Sequence, residues 1–499
     1  MKTTYSLILI MILAGSFSAC RKDDNPAAPI SPTDGSREQL TLDSLYLYAR
    51  EMYLWYDALP DYTTFNPRQY ATGNNVLSNY KQELFLITQL KINPSTNQAY
   101  EYSGHPGTPK YSFMEEGNPT TGKSGTVSLN DKGDDYGLAF TAVSGNDVRI
   151  RYVNPLSAAD GAGLVRGDQI LKVNGTTVNS GSSSFIENAF TQSSVTISVK
   201  KSTGVTQDLT LKLQNYTTNP VFKSTVLTAG SQKVGYVAIS RFSSPDSFTP
   251  ALSNVFSSFT TAGVTALVVD LRYNGGGYTQ AAQDLVNLIA PSALNGKRMY
   301  VEYFNNLMQN GNAPILKQQL YLDANGKPVQ YQGRNATYAD IDYSVNGNSY
   351  NFSKQGNLQG VKQVVFIVSG NTASASELAI NSLKPYLPVK LVGQQTYGKP
   401  VGFFGIKIDK YTVYLSSFTM QNANGEGDYY HGFTPDYPAN DDVSHDFGDP
   451  AETCLASALS YISGHPSGRT GNVSVQPLVH MGAVSSFTGM IDNRMKLKQ

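Results

Sequence analysis

The run Val364-Val365-Phe366-Ile367-Val368-Ser369-Gly370-Asn371-Thr372-Ala373-Ser374-Ala375-Ser376-Glu377 decides how this chain folds. Its first five residues are apolar without alternation, the pattern of a strand buried on both faces of a layered α/β sheet. Gly370 and Asn371 break the strand, and the spacing predicts a helix over Ala375 to Leu383. Ser374 and Glu377 then read as a Ser-x-x-Glu capping box. A serine at the start of a helix, where free N–H groups favour negative charge, also suits a nucleophile whose attack creates an oxyanion. Cap and nucleophile are compatible roles for one hydroxyl, so its neighbours must decide.

Downstream, the apolar run Val389 to Gly393 predicts the next strand, followed by Gln394-Gln395-Thr396-Tyr397-Gly398-Lys399. A strand–helix–strand unit returns both strand ends to one edge of the sheet, which brings Lys399 toward Ser374. An ordinary lysine, with a pKa near 10.4, is a poor base at neutral pH. Burial against apolar side chains, with Phe403 and Phe404 as candidates, lowers that value and lets the amine accept a serine proton. Taken alone, Lys399 reads as a solvated loop lysine.

Upstream, Val234 to Ser240 and Val264 to Asp270 are two more buried-strand runs. The second leads into Leu271-Arg272-Tyr273-Asn274-Gly275-Gly276-Gly277-Tyr278 and a helix over Gln280 to Ile289. Successive glycines expose backbone N–H groups and admit a substrate carbonyl, as an oxyanion hole requires. The glycine spacing fits neither a dinucleotide fingerprint nor a Walker loop. A polar, tyrosine-rich insertion of hairpins and loops is expected over about 296–360.

From Thr126 to Leu213 short strands and turns dominate; Val148, Ile150 and Tyr152 alternate with Arg149 and Arg151. Residues 37–115 read as a mainly helical N-terminal domain, with helices over Leu40 to Asp57 and Val76 to Leu90. Pro450 to Ser463 predicts a C-terminal helix in which Cys454 is a small core residue. The remaining tail, 465–499, carries no reading.

Lysine plus arginine equals aspartate plus glutamate at 38 each, so no net field attracts nucleic acid. The 32 tyrosines and 44 glycines against one tryptophan fit a strand- and turn-rich globular chain. The five histidines are scattered and contain no His-Glu-x-x-His, which leaves no metal or other cofactor to invoke. Lys2 and the short apolar stretch Tyr5 to Ala14 predict an export signal over 1–19, too short to span a bilayer comfortably. Phe17-Ser18-Ala19-Cys20 looks like a bacterial lipoprotein signal, which implies lipidation of Cys20. Residues 20–36 then form a tether. Arg21-Lys22-Asp23-Asp24 resembles the surface-export signal of some lipoproteins; the membrane face stays open.

Two further resemblances organise the chain. Tyr136-Gly137-Leu138-Ala139-Phe140 and the run Asn154 to Gly175 resemble a protease-associated PDZ domain over 126–213, which implies a loop that captures a peptide carboxylate. Gly235 to Ile239, Asp270 to Arg272, Asn274 to Gly277, Thr372 to Glu377, Thr396 to Lys399 and Gly432 to Asp436 together resemble the C-terminal processing peptidase, or tail-specific protease, family. The resemblance implies a multidomain α+β chain with an α/β peptidase core of the ClpP/crotonase type over 220–464. It implies a serine endopeptidase acting on exported or unfolded proteins, with Ser374 as nucleophile and Lys399 as general base. The N–H groups of Gly276 and Ala375 would form the oxyanion hole. Many relatives place a glutamine four residues after the lysine; here Phe403 stands there, so no third catalytic member is assigned. The other reading is a non-catalytic peptide- or ligand-binding lipoprotein on the same fold.

Overall fold

The structure is a computed structural model describing residues 31–117, 123–124, 127–323, 326–465, 479–481, 489–491 and 495–499. The export signal and Cys20 lie outside the described residues. Among the described residues no helix is long and apolar enough to cross a membrane.

Helix α1 (Arg37–Met52) begins at a capping box: the Gln39 N–H donates to Ser36 Oγ at 3.2 Å, and the Ser36 N–H donates to Gln39 Oε1 at 2.9 Å. It stops at Met52 rather than reaching Asp57, because Tyr53 turns to extended backbone and buries its ring. Helix α2 (Val76–Thr88) packs against it. Their apolar faces, with Leu42, Leu45, Met52 and Leu84, join the same core as Leu267, Val269 and Phe366. Strand β1 (Phe113–Glu116) pairs antiparallel with Tyr411–Tyr414, so residues 37–116 share one hydrophobic interior with the peptidase-like region.

The next unit has a core of its own, including Phe140, Val148, Ile150, Ile170, Ile186 and Ile197. Its sheet contains β2 (Leu138–Ser144), β3 (Asp147–Val153), β4 (Gln169–Val173), β5 (Ser194–Lys200) and β6 (Thr206–Lys212), with helix α3 (Ser183–Ala189) between β4 and β5 in the chain. Gly137, just before β2, has φ +81°, and a Cβ there would lie 2.0 Å from Ser157 Cβ. Glycine is therefore required where the backbone bends into the loop over Tyr136 to Phe140.

The central sheet runs β7 (Val221–Ala229), β8 (Gln232–Ile239), β9 (Ala266–Asp270), then Gln363–Val368, Val389–Gly393 and Tyr437–Pro438. Only the β7–β8 pair is antiparallel, and the parallel strands carry the apolar runs seen in the sequence. Between β8 and β9 the chain forms α4 (Pro245–Ala262), where the sequence reading placed no element. Phe248, Leu252, Phe256 and Phe259 lie on its buried face, a helical period diluted by the serines and threonines around it. In chain order the elements that shape the site are then β10 (Gly276–Tyr278), α5 (Thr279–Ile289), β11 (Gln363–Val368), α6 (Ala375–Leu383), β12 (Val389–Gly393) and β13 (Val401–Gly402). From the 296–360 insertion, Arg298–Phe304 enters a second sheet in the order Ser349–Asn351, Arg298–Phe304, Phe418–Asn422, β13. Thr453–Ile462 is helical, and Cys454 is a buried core residue there.

A buried ionic cluster docks the two units. Arg166, from the loop before β4, and Arg272, from the end of β9, both reach Asp441 Oδ1, at 2.5 and 2.7 Å. Arg272 also pairs with Asp270 and Glu452, each at 2.8 Å. Their combined positive charge holds the Asp441 carboxyl well below the usual range. Such a cluster contributes little net stability over an apolar substitute, but losing one member strands buried charge. It therefore fixes the PDZ-like unit against the segment that leads into the glycine turn.

Candidate active site

Ser374 lies at the carboxyl edge of the parallel sheet, where β11 turns into α6, and is fully buried. Its backbone sits at φ +63°, ψ −115°, a conformation that costs a serine about 1–3 kcal/mol. Glu377 Oε2 accepts the Ser374 N–H at 2.9 Å, half of the anticipated capping box. Ser374 Oγ faces the Glu377 N–H too loosely for a hydrogen bond and has no hydrogen-bond partner among the described residues. Ser376 Oγ, by contrast, donates to the Asn274 carbonyl at 2.9 Å. Of the two serines, only Ser374 keeps an uncommitted oxygen.

Glu377 does more than cap. The same Oε2 accepts the Lys399 N–H at 2.8 Å, while Oε1 accepts the Gly398 N–H at 2.8 Å and the Thr396 hydroxyl at 2.5 Å. The Ser374 and Lys399 amides are thus no more than about 6 Å apart, each a hydrogen-bond length from one oxygen. Residues 25 positions apart in sequence are brought together by one buried carboxylate. The Gly432–Asp436 motif supports the same loop, because the Phe433 N–H donates to Thr396 Oγ1 at 2.7 Å. His431, beside that motif, contributes its backbone carbonyl to Gln395 Nε2.

Lys399 is completely buried, with Nζ 4.3 Å from the centre of the Phe403 ring and 5.8 Å from that of Tyr111. Desolvation brings its pKa down to about 7; the Glu101 and Glu377 carboxylates pull upward, and the Lys110 charge adds to the lowering. Phe404, the other residue expected to pack there, stacks on Tyr338 in the same hydrophobic core. Two members of this pocket come from the N-terminal region and had no sequence signal. The Tyr111 hydroxyl donates to the Gly398 carbonyl at 2.6 Å. Glu101 accepts from the Ser112 N–H at 2.7 Å and from the Ser112 and Ser416 hydroxyls at 2.7 and 2.9 Å.

The glycine turn faces the serine. Asn274 locks it in place: its carbonyl accepts the Ala373 N–H at 3.2 Å, and its Oδ1 accepts the Gly276 N–H at 3.0 Å. The amide expected to serve the oxyanion is therefore committed to an Asx turn. The neighbouring groups show where the next amide points. The Gly276 carbonyl and the Tyr278 N–H both bond Phe242, each at 2.9 Å, so the alternation of a strand turns the Gly277 N–H to the opposite side, toward Gly489–Ile491. Ala375 supplies the first amide of α6, one of the helix-end N–H groups without an intrahelical acceptor.

Gly277 has φ +136°, and a Cβ there would lie 2.0 Å from the Phe242 carbonyl oxygen. Gly277→Ala is expected to lower stability by about 2–4 kcal/mol through strain and overlap, read as a drop in the urea midpoint. An unchanged midpoint would show that the turn is not held against Phe242. Among the described residues no group of His, Cys, Asp and Glu side chains could hold a metal ion.

Residues 233–439 match the family model of peptidase family S41, and residues 126–200 match that of the PDZ domain. The chain is 28% identical over 276 residues to the chloroplastic C-terminal processing peptidase of Tetradesmus obliquus, covering 52% of this chain and 50% of that protein. It is 24% identical over 303 residues to the carboxy-terminal processing protease CtpA of Bacillus subtilis, covering 60% and 54%. The chain thus spans about half the length of the curated relatives it matches. A crystal structure from Bacteroides fragilis NCTC 9343, of a protein assigned to the S41 proteases, covers 87% of this chain and 99% of its own at a TM-score of 0.57 and 22% identity. That likeness shows a shared fold. Residues 233–439 thus carry the pattern of peptidase family S41, and residues 126–200 ahead of them that of a PDZ domain.

Proposed function

We propose that the chain is a serine endopeptidase in which Ser374 attacks the scissile carbonyl and Lys399 takes its proton. The observation that carries this reading is an unbonded serine oxygen and a desolvated lysine built around one Glu377 oxygen. With a pKa of about 7, a substantial share of Lys399 is neutral at neutral pH and able to accept the hydroxyl proton. The amine then protonates the leaving nitrogen, and water releases the acyl group from Ser374. The N–H groups of Gly277 and Ala375 stabilise the oxyanion. Glu377 acts as a positioning residue, and Phe403 contributes desolvation at the position where many relatives place a glutamine.

The PDZ-like unit supplies peptide recognition in this proposal: β2 offers an edge to an extended peptide, and Tyr136 to Phe140 offer backbone amides to its carboxylate. The substrates are exported or unfolded polypeptides. Comparing casein hydrolysis by the wild type, Ser374→Ala and Lys399→Ala tests the chemistry. Equal rates in all three would refute it and favour the binding-protein reading.

Export and lipid anchoring through Cys20 belong to the same proposal. Labelled fatty acid fed to bacteria expressing the chain should enter the protein and leave it membrane-associated, and Cys20→Ser should abolish both. Equal label in wild type and variant would exclude Cys20 as the acceptor.

A further inference from the structure

Two short pieces of the C-terminal region lie on the β2 edge and on the glycine turn at β10. Val479–Met481 pairs antiparallel with β2, placing Val479 opposite Ala142, His480 opposite Thr141 and Met481 opposite Phe140. It also runs close to α3, so it occupies the edge between strand and helix. Further on, Gly489–Ile491 pairs in parallel with β10: Gly489 with Gly276, Met490 with Gly277, Ile491 with Tyr278. That second strand also lies close to β13, two residues beyond Lys399. It is flanked by the glycine turn on one side and by the lysine strand on the other.

The far end is fastened to the insertion. The Asp342 N–H donates to the Lys496 carbonyl at 2.7 Å, and the Lys498 N–H donates to the Asp340 carbonyl at 2.9 Å. The Tyr321 hydroxyl donates to the Met495 carbonyl at 3.0 Å, and Lys496 Nζ to the Gly347 carbonyl at 2.7 Å. The Met495 side chain joins the main core.

We propose that strands 479–481 and 489–491 are intramolecular occupants of the peptide track, one on the PDZ edge and one on the oxyanion strand, and that substrate binds by displacing them. This proposal rests on the peptidase reading of the site. Its backbone logic is β-augmentation, in which main-chain bonds supply affinity regardless of side chains. Met481 and Gly489 are eight residues apart, so the two edges lie within a reach of about 27 Å for one extended strand. The chain continues beyond Met481, so the segment presents no carboxylate to Tyr136 to Phe140 there. A polypeptide with a free C-terminus adds that contact, which gives the right partner an advantage over the tethered one. Parallel pairing at Gly277 also engages the N–H that the oxyanion needs, so an occupied track is an inactive one. Tethering raises the effective concentration of the occupant to the millimolar range, enough for weak strand pairing to compete.

Proline tests the strands without removing the segment, because it deletes the N–H that a ladder needs. In an antiparallel pair one of two adjacent residues faces the partner, so Val479→Pro with His480→Pro breaks the PDZ side in either register. Ile491→Pro removes the donor that faces the Gly277 carbonyl, and Ile491→Ala keeps it. In the full chain, both proline variants should raise kcat/KM on casein by about five-fold or more, mainly through KM, while Ile491→Ala matches the wild type. A synthetic peptide of residues 476–494, added to the proline variants, should restore inhibition. Hydrogen exchange, measured in the Ser374→Ala background, should accelerate about ten-fold at Phe140 to Ala142 in the first variant and at Gly277 in the second.

Unchanged exchange in both variants would overturn the placement. Faster exchange with unchanged hydrolysis would overturn the inhibitory role, as would a peptide that fails to inhibit. Protection that depends on protein concentration would place a second copy's segment on the track and overturn the intramolecular claim. Should no variant hydrolyse casein, the peptidase reading fails, and the exchange data still decide whether the segment occupies both edges.

Discussion

Ser374→Ala should reduce kcat on casein by about 10⁴-fold or more while leaving the fold intact, because removing a nucleophile typically eliminates the covalent route altogether. The companion variant Ser374→Gly should lose the same activity and gain stability. At φ +63° and ψ −115° the serine pays a conformational cost that glycine escapes, so the urea midpoint should rise by an amount equivalent to about 1 kcal/mol. A buried hydroxyl with no hydrogen-bond partner among the described residues adds to what is lost harmlessly. Inactive and more stable together is the signature of strain held for function. If Ser374→Gly is instead destabilised, the strained turn is required by the packing of α6, and its link to chemistry fails.

The second large effect concerns pH. If Lys399 is the base, as proposed, it must be neutral to act, and with its pKa at about 7 kcat/KM should climb through a limb centred there and flatten above. The rate at pH 6 should be about ten-fold below the plateau. Lys399→Ala should cost about 10³-fold or more. Lys399→Arg should not rescue, because guanidinium keeps its proton at any working pH. An active arginine variant would mean that the site needs a positive charge rather than a base.

Stability carries the same sign in a separate measurement. The folded-state value lies below the unfolded value of about 10.4, so the unfolded chain binds an extra proton between those limits. The contribution of Lys399 therefore improves as pH rises from about 7 to 10, and its cost is fully present below 7. Measured against Lys399→Met, the wild type should gain stability across that window; a constant difference would mean that the amine is solvated in the folded state.

Much of this was legible from residues alone. Apolar runs fixed four strands of the central sheet to within two residues, because a strand buried on both faces leaves no position for polar side chains. The helix after Ser374 and the 25-residue interval to Lys399 were readable because strand, helix and turn are local structures with local signals. The PDZ-like unit could be read for the same reason, since its core closes within its own stretch of chain. Helix α4 was missed because serines and threonines masked a period that only its buried phenylalanines preserve.

The sequence by itself determined which residues could do the chemistry and in what order they occur. Only tertiary structure decided that Glu377 bridges serine to lysine, that the Gly276 amide turns to Asn274 while Gly277 faces residues 489–491, and that Glu101 and Tyr111 wall the lysine pocket. The physical reason is range. A cap or a strand is set by residues a few positions apart, whereas a desolvated amine or a strand added from residues 489–491 depends on groups hundreds of positions away meeting in one interior.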